Sequence, residues 1–250
     1  MKRALITGLL GQDGTYLAKI LIRQGYEVHG LIRLPFDREE SRIRNRFTRE
    51  ELENLHFHTG AVEDPFCISR LLQESKPSEV YHLAGVSDSR QSFLVPELTL
   101  DSIGKGTLHI LEAGRQFSPE ARYFIASSCE VFGIPVETPQ TEETRRRPET
   151  PYGICKQAAD NFARLYREKY GQFISVGILY NHESPLRPSN YLSRRVAKAV
   201  AAIWNGTLDK LTIGDLTVER DWSDARDFVR GFWLALQSDS PGEYFFASGK

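Results

Sequence analysis

The stretch ALITGLLGQDGTYLA, residues 4–18, joins a short apolar run to a glycine-rich turn and the start of a helical pattern. Gly8, Gly11 and Gly14 have no Cβ atoms, so a tight turn at these positions lets backbone N–H groups at a helix N-terminus approach a pyrophosphate. The GxxGxxG spacing alone is a weak signal, but here it follows a strand and opens a helix. It therefore predicts a dinucleotide-binding βα unit; the alternative is a purely structural turn.

Apolar runs of strand length alternate with helical patterns over the first 179 residues. The strand candidates are residues 4–7, 26–32, 55–60, 79–85, 122–127 and 174–179. The helix candidates between them are residues 16–23, 67–74, 103–116 and 157–170. This βαβ alternation, with strands that are apolar on both faces, predicts an α/β fold with a doubly wound parallel sheet of the Rossmann type.

The alternation breaks after Leu179, where YNHESPLRPSN brings two prolines and many polar groups. Two further helices are predicted, at residues 192–204 and within DWSDARDFVRGFWLALQ, residues 221–237. We therefore expect residues 1–179 to form a dinucleotide-binding Rossmann domain. Residues 180–250 are expected to be the beginning of a smaller substrate-binding part, with some segments packing back on the Rossmann domain.

Composition and charge limit the classes of molecule that the chain is expected to bind. The chain has 250 residues, 40% of them hydrophobic, and a net charge of -1, and its Lys and Arg residues are spread rather than clustered. We expect no nucleic-acid partner and no membrane partner, but a ligand of small or moderate size. Cys67, Cys129 and Cys155 form no CxxC pair, which argues against a disulfide framework and a metal site and favours the cytoplasm.

The end of the second predicted strand bears on the choice of cofactor. NAD-binding folds place an acidic residue there for the ribose hydroxyls, whereas a cation suits a 2′-phosphate. Here Arg33 stands at that position and the next acidic residue is Asp37, which favours NADP and leaves NAD open. Arg42, Arg44 and Arg46 add positive charge nearby, or else form a solvated basic face.

Tyr152 and Lys156 lie four residues apart in PYGICKQA, at the start of a predicted helix. The spacing puts both side chains on one face, where the ammonium group is expected to lower the pKa of the phenol and to bind the cofactor's ribose. Such a tyrosine takes a proton from an alcohol while a nicotinamide takes a hydride. The hydroxyls of Ser127 and Ser128 end the fifth strand, which strengthens a pattern that occurs often by chance.

Five motifs follow one another across nearly the whole chain: TGLLGQDGTYLA, SSCEVFG, PYGICK, YNHESP and ERDWSDARD. Together they resemble the extended short-chain dehydrogenase/reductase superfamily and, within it, the GDP-mannose 4,6-dehydratases. The resemblance implies an NADP-dependent lyase in nucleotide-sugar metabolism, acting on a nucleotide-diphosphate sugar such as GDP-mannose. It also implies a homodimer or homotetramer, for which helices 103–116 and 157–170 are the candidate interface, unless their apolar faces pack on the sheet.

The resemblance assigns roles residue by residue. Tyr152, supported by Lys156, would remove the C4 hydroxyl proton, Ser128 would hold the C4 oxygen, and Glu130 would remove the C5 proton and protonate the departing C6 hydroxyl. The implied cofactor-binding residues are Gly8, Leu10, Gly11, Gln12, Asp13, Gly14, Arg33, Val62, Leu83, Ala84, Gly85, Tyr152 and Lys156. The implied substrate-binding residues are Ser87, Asn181, Arg187, Asn190 and Arg220.

Structural roles compete with the substrate assignments. Asn181 could cap a turn, Arg187 could pair with Glu183, and Arg220 could pair with Asp221 or Asp224. His182 is expected to be a hydrogen-bonded structural histidine, and Cys129 a small buried spacer rather than a nucleophile.

The sequence also departs from the family pattern. Leu34 follows Arg33 where a second arginine is usual, Ala61 replaces a carboxylate expected near adenine, and Leu186 and Pro188 alter the segment after NHESP. The family is expected to continue beyond FASGK, so the nucleotide base and the competence of this length stay open. Alternatives are another redox-neutral nucleotide-sugar enzyme, an epimerase or a decarboxylase, and a truncated cofactor-binding homologue without catalysis.

Overall fold

The computed structural model describes residues 1–249; Lys250, the last residue of the predicted substrate-binding part, lies outside the described residues. Seven parallel strands form one sheet in the order β3-β2-β1-β4-β5-β6-β9. They are β1 (Arg3–Thr7), β2 (Glu27–Ile32), β3 (Leu55–Thr59), β4 (Glu79–His82), β5 (Arg122–Ala126), β6 (Phe173–Leu179) and β9 (Glu243–Phe246). The predicted doubly wound Rossmann fold is confirmed, because the strand order reverses between β1 and β4.

Helices cover both faces of this sheet. The α-helices are α1 (Gln12–Arg23), α2 (Phe36–Arg44), α3 (Arg49–Leu52), α4 (Pro65–Ser75), α5 (Ser89–Leu94), α6 (Pro96–Thr99), α7 (Gly106–Phe117), α8 (Pro151–Tyr170), α9 (Leu192–Trp204) and α10 (Ala225–Ala235). A π-helix, Leu100–Lys105, joins α6 to α7, and a 3-10 helix, Cys129–Phe132, follows β5. None of the helices within residues 1–249 combines the length and apolar composition needed to cross a membrane.

Helix α8 begins six residues earlier than the sequence pattern suggests, at Pro151 rather than at residue 157. Thr150 caps it, since its hydroxyl oxygen accepts a hydrogen bond from the Gly153 N–H group at 3.0 Å, and Pro151 occupies the first helical position. The early start places Tyr152 and Lys156 in the first two turns, at the carboxyl edge of the sheet.

The chain after Leu179 divides between two layers. Strands β7 (Asn181–Glu183) and β8 (Trp222–Asp224) form a separate parallel pair. By contrast, β9 pairs with β6, and α10 packs against α1 on the face of the main sheet. The division into two domains at residue 180 stays a prediction.

Two apolar cores lie on opposite faces of the sheet. One centres on Phe124 of β5, whose ring stacks on Phe232 of α10 with centroids 4.5 Å apart. The other contains Tyr123 and Ile174 with residues of α4 and α7. Successive β5 residues alternate between these cores, which fixes the strand's register and carries Ser127 and Ser128 to the carboxyl edge.

Candidate active site

A cavity of about 420 Å³ opens at the carboxyl ends of β4, β5 and β6. Its lining includes Asp13 from the first turn of α1 and residues from the segment after β4, from the end of β5, from α8 and from the β7–β8 layer. Parallel α/β sheets bind ligands at this edge, beside the point where the strand order reverses. The fold therefore brings five distant segments of the sequence to one place.

The glycine-rich turn fits a pyrophosphate. Gly8 has φ +76°, a conformation that residues with side chains rarely adopt. A Cβ atom on Gly14 would lie 2.4 Å from the Gly8 carbonyl oxygen, so the backbone occupies the space of a side chain. The turn leads into the N-terminus of α1, whose free N–H groups favour an anion.

Thr7 holds the neighbouring part of this cradle, a role that the sequence reading missed. Its hydroxyl oxygen accepts hydrogen bonds from the N–H groups of Leu83 and Ala84, both at 3.2 Å, and lies 2.8 Å from His82 Nδ1. Burial, and then the charge of Lys156, lowers the pKa of His82 to about 3, so this imidazole is neutral. In the sequence, this role was signalled by the polar residues, Thr7 and His82, that end the two apolar strands β1 and β4.

The arginines near the second strand lie in different surroundings. Arg33 pairs with Glu63, and Arg44 pairs with Glu40 on a solvated face. Arg42 and Arg46 instead turn toward the glycine-rich turn, where each donates to the Leu10 carbonyl, at 2.8 and 2.6 Å.

Positive charge is therefore concentrated behind the turn. Burial and the neighbouring Arg42 lower the pKa of Arg46 to about 10. Val62, predicted near adenine, is buried, and His109 Nδ1 lies 2.9 Å from its carbonyl oxygen.

Tyr152, Lys156 and Ser128 line the cavity together, and all three side chains are buried. Burial raises the pKa of Tyr152, and contact with the Ser128 hydroxyl partly opposes this shift. The expected lowering by Lys156 is absent, because its ammonium group donates to the Ala126 carbonyl at 2.5 Å and sits 5.7 Å from the centre of the tyrosine ring.

A buried carboxylate, Asp160, stands one helical turn after Lys156 and was not foreseen from the sequence. Its Oδ2 accepts hydrogen bonds from Ser127 Oγ at 2.7 Å and from Arg146 at 3.3 Å, and Arg146 also pairs with Glu243 of β9. Burial raises the pKa of Asp160 to about 6. Burial lowers the pKa of Lys156 to about 8, while the charge of Asp160 acts in the opposite direction.

Glu130 lies in the same cavity as Tyr152, on the 3-10 helix after β5. Its Oε2 accepts hydrogen bonds from Ser89 at 3.3 Å and Thr150 at 3.4 Å, so hydroxyl groups from two other segments orient it. Burial raises the pKa of the adjacent Cys129 to about 11, which keeps that thiol protonated.

The residues predicted to bind the substrate form two groups. Ser87 and Asn190 take part in two hydrogen bonds between the segment after β4 and the segment after β7. Ser87 Oγ lies 2.8 Å from the Tyr191 hydroxyl, and Asn190 donates to Asp88 at 2.8 Å. These bonds close one side of the cavity.

Asn181, Arg187 and Arg220 all line the cavity. Asn181 donates to the Asp221 carbonyl at 3.1 Å, which ties β7 to β8. Arg187 pairs with Glu183 at 3.3 Å and lies 3.7 Å from the centre of the Tyr191 ring. Arg220 donates to the Glu219 carbonyl.

The predicted structural pairings of Arg220 are not formed. Asp221 accepts hydrogen bonds from Ser248 and Gly249, and Asp224 pairs with Arg226. Within residues 1–249, no three His, Cys, Asp or Glu side chains come together in a way that could hold a metal ion.

Comparison with known sequences gives consistent matches. The family model for GDP-mannose 4,6 dehydratase matches residues 5–250. The GDP-mannose 4,6 dehydratase of Cricetulus griseus is 38% identical over 254 residues, which cover 100% of this chain and 68% of the relative. The Yersinia enterocolitica serotype O:8 enzyme is 41% identical, with 100% and 68% covered, and the Sinorhizobium fredii enzyme is 40% identical, with 99% and 72% covered.

Solved structures with the same fold are more distant in sequence. A UDP-glucose 4-epimerase from Thermotoga maritima, solved with UDP-glucose, has a TM-score of 0.85 at 22% identity and covers 99% of this chain and 77% of its own. A dTDP-glucose 4,6-dehydratase from Streptomyces venezuelae, solved with NAD, has a TM-score of 0.80 at 23% identity, covering 97% and 74%. The Thermus thermophilus UDP-glucose 4-epimerase complex with NAD has a TM-score of 0.84 at 25% identity, covering 99% and 78%.

Proposed function

The chain belongs to the GDP-mannose 4,6-dehydratase family, as predicted from its motifs, and on this premise we propose that it removes water from a nucleotide-diphosphate hexose, GDP-mannose. The product would be the 4-keto-6-deoxy sugar. The observation that carries the proposal is the position of Glu130 in the same cavity as Ser128, Tyr152 and Lys156. A second acid–base group beside the oxidising tyrosine is what an elimination needs in addition to an oxidation.

The first half of the reaction belongs to Tyr152 and Ser128. Tyr152, as phenolate, accepts the proton of the C4 hydroxyl, and Ser128 donates a hydrogen bond to the C4 oxygen. A nicotinamide cofactor held by the glycine-rich turn would supply the redox chemistry, as acceptor and later donor of the C4 hydride. Because burial raises the pKa of Tyr152, the phenolate needs a nearby cation, and Lys156 supplies one after turning from the Ala126 carbonyl toward the tyrosine.

The second half belongs to Glu130. A ketone at C4 acidifies the hydrogen at C5, so a carboxylate within the cavity can remove that proton. Glu130, now protonated, gives the proton to the departing C6 hydroxyl, which leaves as water. When hydride returns to C6, C5 needs a proton, and the Tyr152 phenol, which holds the proton of the C4 hydroxyl, can supply it. Ser89 and Thr150 hold the carboxylate in one orientation through both transfers.

The cofactor that we propose is NADP, held by the glycine-rich turn. A nicotinamide dinucleotide fits the cradle of Gly8, Gly11 and Gly14, and the Thermus thermophilus relative in fold was solved with NAD. Arg33 follows the end of β2, where a cation suits a 2′-phosphate, and it would exchange its pairing with Glu63 for that phosphate. Arg33→Ala should weaken NADP binding about tenfold or more while NAD binding changes little. Equal losses for both would favour NAD as the natural cofactor.

For the substrate, we propose that Arg187 and Arg220 bind the diphosphate and that Asn181 and Ser87 face the hexose. Guanidinium groups suit phosphate because they donate two parallel hydrogen bonds. Asn190 lies outside the lining and would support the cavity wall through its hydrogen bond to Asp88, which lines it.

We further propose a homo-oligomer. Of the two candidate helices, residues 103–116 turn Ile110 and Leu111 into the core, whereas α8 carries exposed apolar side chains, and α5 and α6, which pack against α8, extend this surface. Their exposed apolar side chains include Phe93 (60% exposed), Leu94 (82%), Leu98 (41%), Ile154 (55%) and Leu165 (44%). Burial of these side chains in an interface would remove apolar surface from water. Light scattering after gel filtration tests this: a dimer or tetramer supports it, and a monomer contradicts it.

The function is tested by incubating the purified chain with NADP and GDP-mannose and measuring the mass of the sugar nucleotide by mass spectrometry. The proposal requires a product that is lighter by one water. Unchanged mass with inverted stereochemistry would identify an epimerase, and loss of CO₂ from a uronic acid substrate would identify a decarboxylase. No product from any hexose nucleotide, with cofactor retained, would leave a non-catalytic homologue.

A further inference from the structure

Two separate motifs, GQDG at residues 11–14 and NHESP at residues 181–185, contact each other in the structure. Gln12 is buried, and its amide group donates to the His182 carbonyl at 3.1 Å and accepts from Ser184 Oγ at 2.8 Å. Asp13 Oδ2 lies 3.0 Å from His182 Nε2. The N-terminal turn of α1 is thus bonded to β7 through side chains of both elements.

His182 is fixed in one orientation. It is 7% exposed, its Nδ1 lies 2.8 Å from the Tyr180 carbonyl oxygen, and its ring stacks on Phe228 with centroids 4.4 Å apart. One ring nitrogen faces a carbonyl and the other faces a carboxylate, so both positions favour a proton and the charged imidazolium.

The electrostatics agree with this geometry. Burial alone would lower the pKa of His182, but Asp13 and the hydrogen bond to the Tyr180 backbone together outweigh it and raise the pKa. Burial alone would raise the pKa of Asp13, but His182, with help from Gln12 and Arg187, outweighs it and lowers the pKa. The pair is therefore ionised, and it carries no net charge.

Asp13 lies in the first turn of α1, at the helix end where the pyrophosphate would bind. The helix dipole favours a carboxylate at this end, but an unpaired one would repel the pyrophosphate and offset its attraction to the free N–H groups of α1. We propose that His182 is a positioning residue: held on β7, its imidazolium neutralises Asp13, so that retention of the cofactor depends on where β7 places His182.

This inference rests on the proposed function, which places a dinucleotide at the turn and the hexose beside β7. Tight retention of the cofactor serves a redox-neutral reaction, because the same cofactor must stay bound while the substrate is oxidised, dehydrated and reduced. By thermodynamic linkage, whatever orders β7 tightens the cofactor, and the cofactor in turn favours an ordered β7.

The test is a double-mutant cycle on the His182–Asp13 pair. The dissociation constants of NADP and NAD are measured by calorimetry on the full chain freed of cofactor. His182→Gln leaves Asp13 unpaired and should weaken binding about tenfold, or about 1.4 kcal/mol. Asp13→Asn removes the repelling carboxylate and should bind at least as tightly as the wild type. The double variant should recover most of the loss.

Arg44→Gln, which breaks the solvated pair with Glu40, is the control and should leave the dissociation constants unchanged. Wild-type affinity in His182→Gln, or a double variant as weak as His182→Gln, would overturn the inference alone. If His182→Gln does not fold, Asp13→Asn still decides, because weaker binding by that variant contradicts the charge argument. No binding of either dinucleotide by the wild type would overturn the proposed function and this inference together.

Discussion

Replacing Asp160 by asparagine is expected to shift the pH dependence of catalysis, because this carboxylate helps to keep Lys156 charged. Lys156 and Asp160 stand four residues apart on α8, and side chains so spaced on a helix lie about 5–6 Å apart. At an effective dielectric constant of about 20, opposite charges about 6 Å apart interact by about 2.8 kcal/mol, or about two pKa units. Arg146 shares the charge of Asp160, so we expect about half of this.

The pKa of Lys156 should therefore fall from about 8 to about 7 in Asp160→Asn. The sign follows from the charged form being the active one: activity is lost as pH rises through the pKa of Lys156. At pH 8 the variant should retain about one fifth of the wild-type charged fraction. Below the pKa of Asp160, about 6, the carboxyl group is neutral in the wild type, so the two proteins should converge.

The assay is the pH dependence of kcat for water loss, with Glu243→Gln as the matched control. Glu243 contacts Arg146 in the same network but is not one of the charges that shift Lys156. The control should keep the wild-type basic limb. An unchanged basic limb in Asp160→Asn, or a limb moved to higher pH, would refute the reasoning.

Three further predictions concern the steps of catalysis, the turn and the core. Glu130→Gln should still oxidise C4 but stall before water loss, whereas Tyr152→Phe should block oxidation. Hydride transfer is measured from the absorbance of the reduced nicotinamide, and an equal loss of it in both folded variants would contradict this division of roles. Gly14→Ala should cost about 1–3 kcal/mol in urea unfolding and weaken NADP binding, because its Cβ would lie 2.4 Å from the Gly8 oxygen; wild-type stability and affinity would count against the cradle. Phe124→Ala should lower the free energy of unfolding by about 3–5 kcal/mol, and a loss below about 1 kcal/mol would disprove its central place in the core.

Local pattern was sufficient for most of the fold. The six predicted strands are confirmed, because strands buried on both faces read as apolar runs between polar turns. The start of α8 was less predictable. Its first turn is set by the cap at Thr150, and a cap leaves no mark on the spacing of hydrophobic residues.

The site could be predicted only where its residues form local motifs. Tyr152 and Lys156 are four residues apart, and the glycines follow one strand, so local spacing and the neighbouring strands together identified both groups. Arg146 meets Glu243 across 97 residues, and Asp13 meets His182 across 169, and no local pattern indicates such pairs. The position of the Lys156 ammonium group was also beyond the sequence, because its hydrogen bond to the Ala126 backbone depends on how α8 packs against β5.

The central claim is that one cavity couples oxidation at C4 to elimination through Glu130. It is tested most directly with GDP-mannose that carries deuterium at C4, in ordinary water, with the product examined by mass spectrometry and NMR. We expect a product that has lost one water and carries the deuterium at C6, because a retained cofactor would move it from C4 to C6 within one active site. A product that keeps its water, or one whose C6 deuterium has been lost to free cofactor, would contradict it.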